Sequence, residues 1–180
     1  MKSIKVRLEL NNQQLTLARK HAGTARFAYN WGLAKSIELI ANGGKRPSAI
    51  DLHKLWVKEV KAEKEWTYEV SKCSPQQAFR NLDEAFKRVF KVKGTKSPRF
   101  KKKGIKDSFY LEGAIKVEGN RIKLPKFGWL KCSEDLPKAE IKNAVVSRHA
   151  EHWFVSFKVE HLPIITEKKR EKVGVDLGIK

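Results

Sequence analysis

IKVRLELNNQQLTLARKHAGTARFAYNWGLAKSIELI, residues 4–40, changes its hydrophobic period once, and that change decides the fold. Ile4, Val6, Leu8 and Leu10 alternate with Lys5, Arg7 and Glu9, the period-two pattern of a strand with one buried face. Beyond the candidate cap residues Asn11 and Asn12, Leu15, Ala18, Ala22, Ala25, Tyr29, Leu33, Ile37 and Ile40 follow one another at steps of three or four. They form one stripe of a long helix that Gly43 and Gly44 end, with Arg19, Arg26 and Asn30 on its opposite face.

Two further helices are predicted before the period returns to two. Ser48 and Asp51 make an S-x-x-D capping box, and Ala49, Leu52, Trp56 and Val60 supply the apolar side. Ser74 caps the next helix in this reading, Pro75 takes its first position, where a missing N–H costs nothing, and Gln77 reaches back to the cap. Phe79, Leu82, Phe86 and Val89 are its core stripe, with Lys91 and Lys93 at the negative end of its dipole. From Ser108 the pattern is strand-like. Ile115 and Val117, then Ile122 and Leu124, flank Gly119-Asn120, a two-residue signal for a type II′ hairpin turn. Residues 140–147 and 153–159 read as a second antiparallel pair around the polar turn at 149–152, with Trp153, Val155, Phe157 and Val159 on one face. No helix separates these strands, so the fold class is α+β. A small antiparallel barrel, closed with the first strand as a member so that no edge stays unpaired, carries an inserted helical bundle.

The chain has 180 residues, enough for one domain or two small ones with a real core. Its two cysteines, Cys73 and Cys132, offer neither a C-x-x-C zinc pair nor a disulfide framework, which suits a reducing cytosol. No apolar run approaches the roughly 20 residues of a membrane span. With 39 Lys and Arg against 20 Asp and Glu, the formal net charge is +19, and such an excess draws polyanions. Between Lys87 and Lys106 the sequence has ten basic residues and no acid, broken by Gly94, Pro98 and Gly104 and carrying Phe90 and Phe100. A segment so broken cannot form the amphipathic helix that a membrane surface would require, so nucleic acid is the favoured partner and no membrane is expected. His149 and His152 belong to a solvated turn, and Trp56 and Trp153 fall on core stripes.

Several of these pieces form an ordered set: RFAYNWGL at 26–33, SPQQAFRNLDEAFKRVF at 74–90, SPRFKKKGIKDSF at 97–109, IKLPKFGWLK at 122–131 and VGVDLG at 173–178. In that order they closely resemble the TnpB/OrfB family, the transposon-encoded RNA-guided endonucleases, over essentially the whole chain. The resemblance implies an oligonucleotide-binding-like wedge barrel from residues 1–10 and 107–165 and an inserted helical recognition domain with a basic loop at 11–106. It further implies a linker and the first strand of an RNase H-like (RuvC) nuclease at 166–180. Gly43-Gly44 and the bulky core stripes suit an inserted bundle better than the helix-turn-helix also ascribed to such proteins.

By the same resemblance Asp176 is the first catalytic and metal-binding carboxylate of an incomplete nuclease site. Two Mg²⁺ ions need several acids to clamp them, so no cofactor is expected on this chain. Mg²⁺ and a structural Zn²⁺ are expected only in full-length relatives, and the chain reads as a truncated member, unable to cleave alone. Guide RNA and target DNA are the implied partners, in the cytoplasm with the nucleoid. Contacts to phosphates are expected from Arg26, Arg80, Lys87, Arg88, Arg99, Lys101, Lys102 and Lys103. Two other classes are carried beside this one: a metal-dependent nuclease with carboxylates from outside the chain, and a duplex-DNA-binding regulator or transposition accessory.

Overall fold

A computed structural model describes residues 2–160. The first strand, β1 (Lys2–Glu9), leads directly into α1 (Asn12–Ala41). α2 (Ala49–Leu55) continues into a π-helical turn, Trp56–Lys61, and a short 3₁₀ helix, Glu65–Glu69, precedes α3 (Cys73–Lys91). The remaining strands are β2 (Ser108–Glu118), β3 (Arg121–Leu124), β4 (Gly128–Cys132), β5 (Ile141–His149) and β6 (His152–Val159). All pairings are antiparallel, and the strands close into a barrel in the order β1-β4-β3-β2-β5-β6. The α+β class, the closed barrel with β1 as a member and the three helices inserted after it are all present. The start of the expected nuclease strand and Asp176 lie outside the described residues.

The barrel closes because β1 bonds on both edges, Leu8 opposite Cys132 of β4 and Ile4 opposite Phe157 of β6. The β2–β3 turn has positive φ at Gly119 and not at Asn120, as a type II′ turn demands. Strand β4 does not stand apart from the preceding hairpin in the sequence. It is five residues long and is entered through Lys126 and Gly128, both at positive φ, so its period-two signal is short and broken.

Two apolar clusters fill the molecule, and α1 serves both. Ala18, Ala22 and Ala25 pack into the barrel core with Leu111, Ile122, Val146, Trp153 and Val155. Ala28, Tyr29 and Leu33 join Leu52, Trp56, Phe79 and Leu82 between the helices. Asn11 caps α1 through a reciprocal box with Gln14, and Ser48 caps α2 with Asp51 as expected. The α1 stripe outruns its partners: Ile37 and Ile40 are 51% and 48% exposed.

The start of α3 differs from the capping expectation. The helix begins at Cys73, whose N–H donates to Ser71 Oγ at 3.3 Å, and Gln77 bonds Asn81 instead of reaching back. Ser74 is buried inside the first turn, and its Oγ has no hydrogen-bond partner among the described residues. The cause is a long-range tie. Ser71 N–H donates to His21 Nε2 at 3.0 Å, which fixes the chain just before the helix, while His21 Nδ1 meets the Leu17 carbonyl at 2.9 Å. This pairing makes Nδ1 the protonated nitrogen of a neutral ring. The ring also packs against Phe109 and Phe127, which stack on each other, with each centroid 4.9 Å away.

Burial lowers the His21 pKa from 6.5 to about 4, with Lys126 adding to the shift against the pull of the Leu17 bond. The fold therefore holds His21 neutral where the unfolded chain protonates it, so stability is full above pH 6.5 and is lost as pH falls toward 4. The loss expected is about 3 kcal/mol at 1.36 kcal/mol per unit. Urea titrations from pH 7 to pH 4.5 should show it, and His21→Leu should be weaker at pH 7 with a shallower acid slope. A second outcome concerns the α1–α3 crossing, where a Cβ on Gly32 would sit 3.1 Å from Phe79 Cδ1 and 3.2 Å from Leu82 Cδ2. Gly32→Val should cost about 1–3 kcal/mol by overpacking, read as a lower urea midpoint.

Candidate nucleic-acid interface

The cations singled out in the sequence fall into two groups, on α3 and on the irregular segment that links α3 to β2. On α3, Arg80 and Arg88 are exposed. Lys87 is exposed too but bridged to Asp83 at 2.8 Å and Glu84 at 3.1 Å, hydrogen bonds that raise its pKa. Asp83 is shared: Arg46 reaches it at 2.6 Å and lies over the Phe86 ring at 5.2 Å. Burial alone would raise the Asp83 pKa, but the bonds from Lys87 and Arg46 outweigh it and hold the carboxyl below its usual range.

Beyond α3 the chain runs without helix or strand from Val92 to Asp107, turning at Gly94 and Gly104 with φ of 85° and 79°. Arg99, Lys102 and Lys103 are exposed, and none of them is in a salt bridge among the described residues. Lys101 is turned back instead. Its ammonium stands 4.2 Å from the centroid of the Tyr29 ring, and desolvation there lowers its pKa. Its backbone is held at both polar atoms by one side chain: Asn30 Nδ2 donates to the Lys101 carbonyl at 3.0 Å and Lys101 N–H donates to Asn30 Oδ1 at 2.8 Å.

Arg26 is likewise committed. Its Nη1 donates to Asp107 Oδ1 at 3.0 Å, and Arg148 approaches the other carboxylate oxygen at 3.9 Å. Of the expected set, then, Arg80, Arg88, Arg99, Lys102 and Lys103 face solvent free of carboxylates among the described residues, Lys87 is shared with two acids, Arg26 is paired with Asp107, and Lys101, though exposed as a residue, lays its ammonium over Tyr29. Chemically, the free set offers point charges and planar guanidinium forks to an extended anion. Among the described residues no group of three or more His, Cys, Asp or Glu could hold a metal ion, and no helix is long and apolar enough to cross a membrane.

A second cationic feature has no local signal in the sequence. A cleft of about 240 Å³ is lined by Lys61, Lys72 and Lys126 together with His53 and Tyr68. Lys61 stands 4.5 Å from the Tyr68 centroid, Lys126 donates to the Tyr68 carbonyl at 3.3 Å, and Gln76 Nε2 meets His53 Nε2 at 3.3 Å. Burial, followed by the charges of Lys61 and Lys72, lowers the His53 pKa. The residues come from three separate stretches of chain, so only the fold assembles them.

Known proteins bear on these surfaces. A helix-turn-helix domain family of OrfB proteins of IS605 type matches residues 1–45. In the structure that stretch holds β1 and the single unbroken helix α1, and the next helix begins at Ala49. The chain is also similar to InsQ of Escherichia coli (strain K12), whose name gives it provisionally as an RNA-guided DNA endonuclease. Identity is 30% over 187 aligned positions, covering 99% of this chain and 46% of that protein. The chain thus spans about half the length of the curated relative it matches.

The two kinds of cation should separate in a thermal melt. Arg26→Met removes the main partner of Asp107, whose side chain is 11% exposed, and should cost about 1–3 kcal/mol. At about 2–4 °C per kcal/mol for a chain of this size, the melting temperature falls by several degrees. Lys102→Ala and Lys103→Ala, which touch no carboxylate, should leave it unchanged.

Proposed function

We infer that this chain, which belongs to the TnpB/OrfB family, binds nucleic acid through the sugar-phosphate backbone and forms the RNA- and DNA-holding part of a transposon-encoded RNA-guided endonuclease. The observation that carries this reading is the run of exposed cations on a fixed scaffold, free of carboxylates among the described residues: Arg80 and Arg88 on α3, then Arg99, Lys102 and Lys103 on the following segment. Lys87 joins them when a phosphate competes for it. The name of the E. coli relative supports guide RNA and target DNA as the ligands.

In this proposal the barrel, from residues 1–10 and 107–165, is an oligonucleotide-binding-like wedge, and residues 11–106 are the recognition insertion. Backbone contacts hold the duplex by shape and leave sequence reading to base pairing with the guide. Location is the cytoplasm, at the nucleoid. Cleavage in the family rests on a metal-binding carboxylate cluster, to which Asp176 contributes in this reading. That residue lies outside the described residues, among which no group of three or more His, Cys, Asp or Glu could hold a metal ion. A second reading, a duplex-DNA-binding accessory, is favoured by the helix-turn-helix description of the matched family.

Titrating the chain against a structured RNA and a DNA duplex from 50 to 400 mM salt tests both. Neutralising about six phosphates gives a slope of log affinity on log salt near −5. Tighter binding to structured RNA supports the guide-RNA reading, and preference for a short duplex site supports the accessory. A slope near zero on both ligands removes the electrostatic basis of either.

A further inference from the structure

We propose that Asn30 and Arg26 are positioning residues that pre-set the cationic loop 102–106 for a nucleic-acid backbone; this rests on the binding function proposed above. The two residues are four apart on α1, one above the other on the same face. Each holds one end of the loop. Asn30 brackets the Lys101 backbone with a donor and an acceptor, as a neighbouring strand would, since its amide carries both side by side. One turn earlier, Arg26 takes the Asp107 carboxylate, while the Asp107 carbonyl accepts from Arg148 N–H at 2.8 Å, tying the loop exit to β5.

Lys101 completes the first anchor by laying its ammonium over Tyr29, a place where a phosphate contact would first have to pull it away. Between the anchors the chain reverses at Gly104 and at Lys106, which takes φ of 54°, a left-handed conformation unfavourable for a lysine. Such a residue stays in place when its surroundings over-determine it, and here both flanks are staked. Lys102, Lys103 and Lys106 are all exposed on this short arc with no acid in it. Left loose, like charges and a glycine would let the arc spread, and binding would have to order it. Ile105 and Lys106 border a cleft of about 10 Å³, too small to enclose an anion, so the arc's cations suit successive phosphates of a strand.

The test uses the full chain with Asn30→Ala, Asn30→Asp and Lys102→Ala. In the free protein, the Lys101 amide, which donates to Asn30 Oδ1, should exchange at least tenfold faster in Asn30→Ala while β5 and β6 amides are unchanged. Asn30→Asp keeps the acceptor but sets an oxygen against the Lys101 carbonyl, so it should quicken exchange as well. On structured RNA, Asn30→Ala should weaken binding about three- to tenfold at every salt concentration with the salt slope unchanged, since no phosphate contact is lost. Lys102→Ala should reduce the slope by about 0.7 to 0.9, as one lost contact requires, with exchange as in the parent. Unchanged exchange in both Asn30 variants overturns the proposal, as does parental affinity in Asn30→Ala when the parent binds with a salt slope. A parent with no salt-dependent binding overturns the function itself, and is told apart because the Lys102 arm is then flat as well.

Discussion

The alanine seam of α1 is the contact on which the arrangement depends. Ala18, Ala22 and Ala25 carry so little side chain that the helix axis can lie close against the barrel, and two turns on, the same helix is enclosed by Leu52, Trp56, Phe79 and Leu82. A single rigid rod thereby passes from one core into the other. Positions on its remaining surface are fixed with respect to both, which is why Arg26 and Asn30 can reach a loop 81 and 71 residues later in sequence. At Gly32, where α3 crosses, even a methyl group would crowd Phe79 and Leu82, so the seam relies throughout on small residues.

With 39 basic residues against 20 acidic ones, few carboxylates are available, and several of them stand where elements meet. Asp83 joins α3 to the segment after α1 through Arg46, Glu59 joins the π-helical turn to α1 through Lys35, and Glu9 joins β1 to β4 through Lys131. Exposed pairs of this kind contribute little energy each, about 0–1 kcal/mol, so their effect is chiefly geometric. The consequence for charge is a division of labour. Cations next to junctions are neutralised, and those on the α3–β2 segment are left bare, concentrating the positive field there.

Local patterns were legible in the sequence because local physics governs them: the period of β1, the asparagine cap of α1, the Ser48 capping box and the Gly119-Asn120 turn all depend on neighbours within a few residues. Where distant residues decide, the reading fell short. Ser74 looks like a cap, but His21 fixes the chain at Ser71 and starts the helix earlier. The acid-free stretch from 87 to 106 was visible as charge, yet nothing in it distinguishes Lys101, folded onto Tyr29, from Lys102 beside it. Likewise the three lysines around His53 and Tyr68 meet only through the fold.

The place of β1 between β4 and β6 bears on how the molecule is made. On the ribosome this strand emerges before either of its partners, both of which lie beyond the helical insertion. At about 5–20 residues per second, the delay is on the order of ten seconds or more, through which a strand with two open edges must wait. Lys2, Lys5 and Arg7 punctuate it, and such charges discourage a nascent strand from pairing with neighbouring chains. The same basic character that marks the finished surface thus guards the polypeptide during its birth.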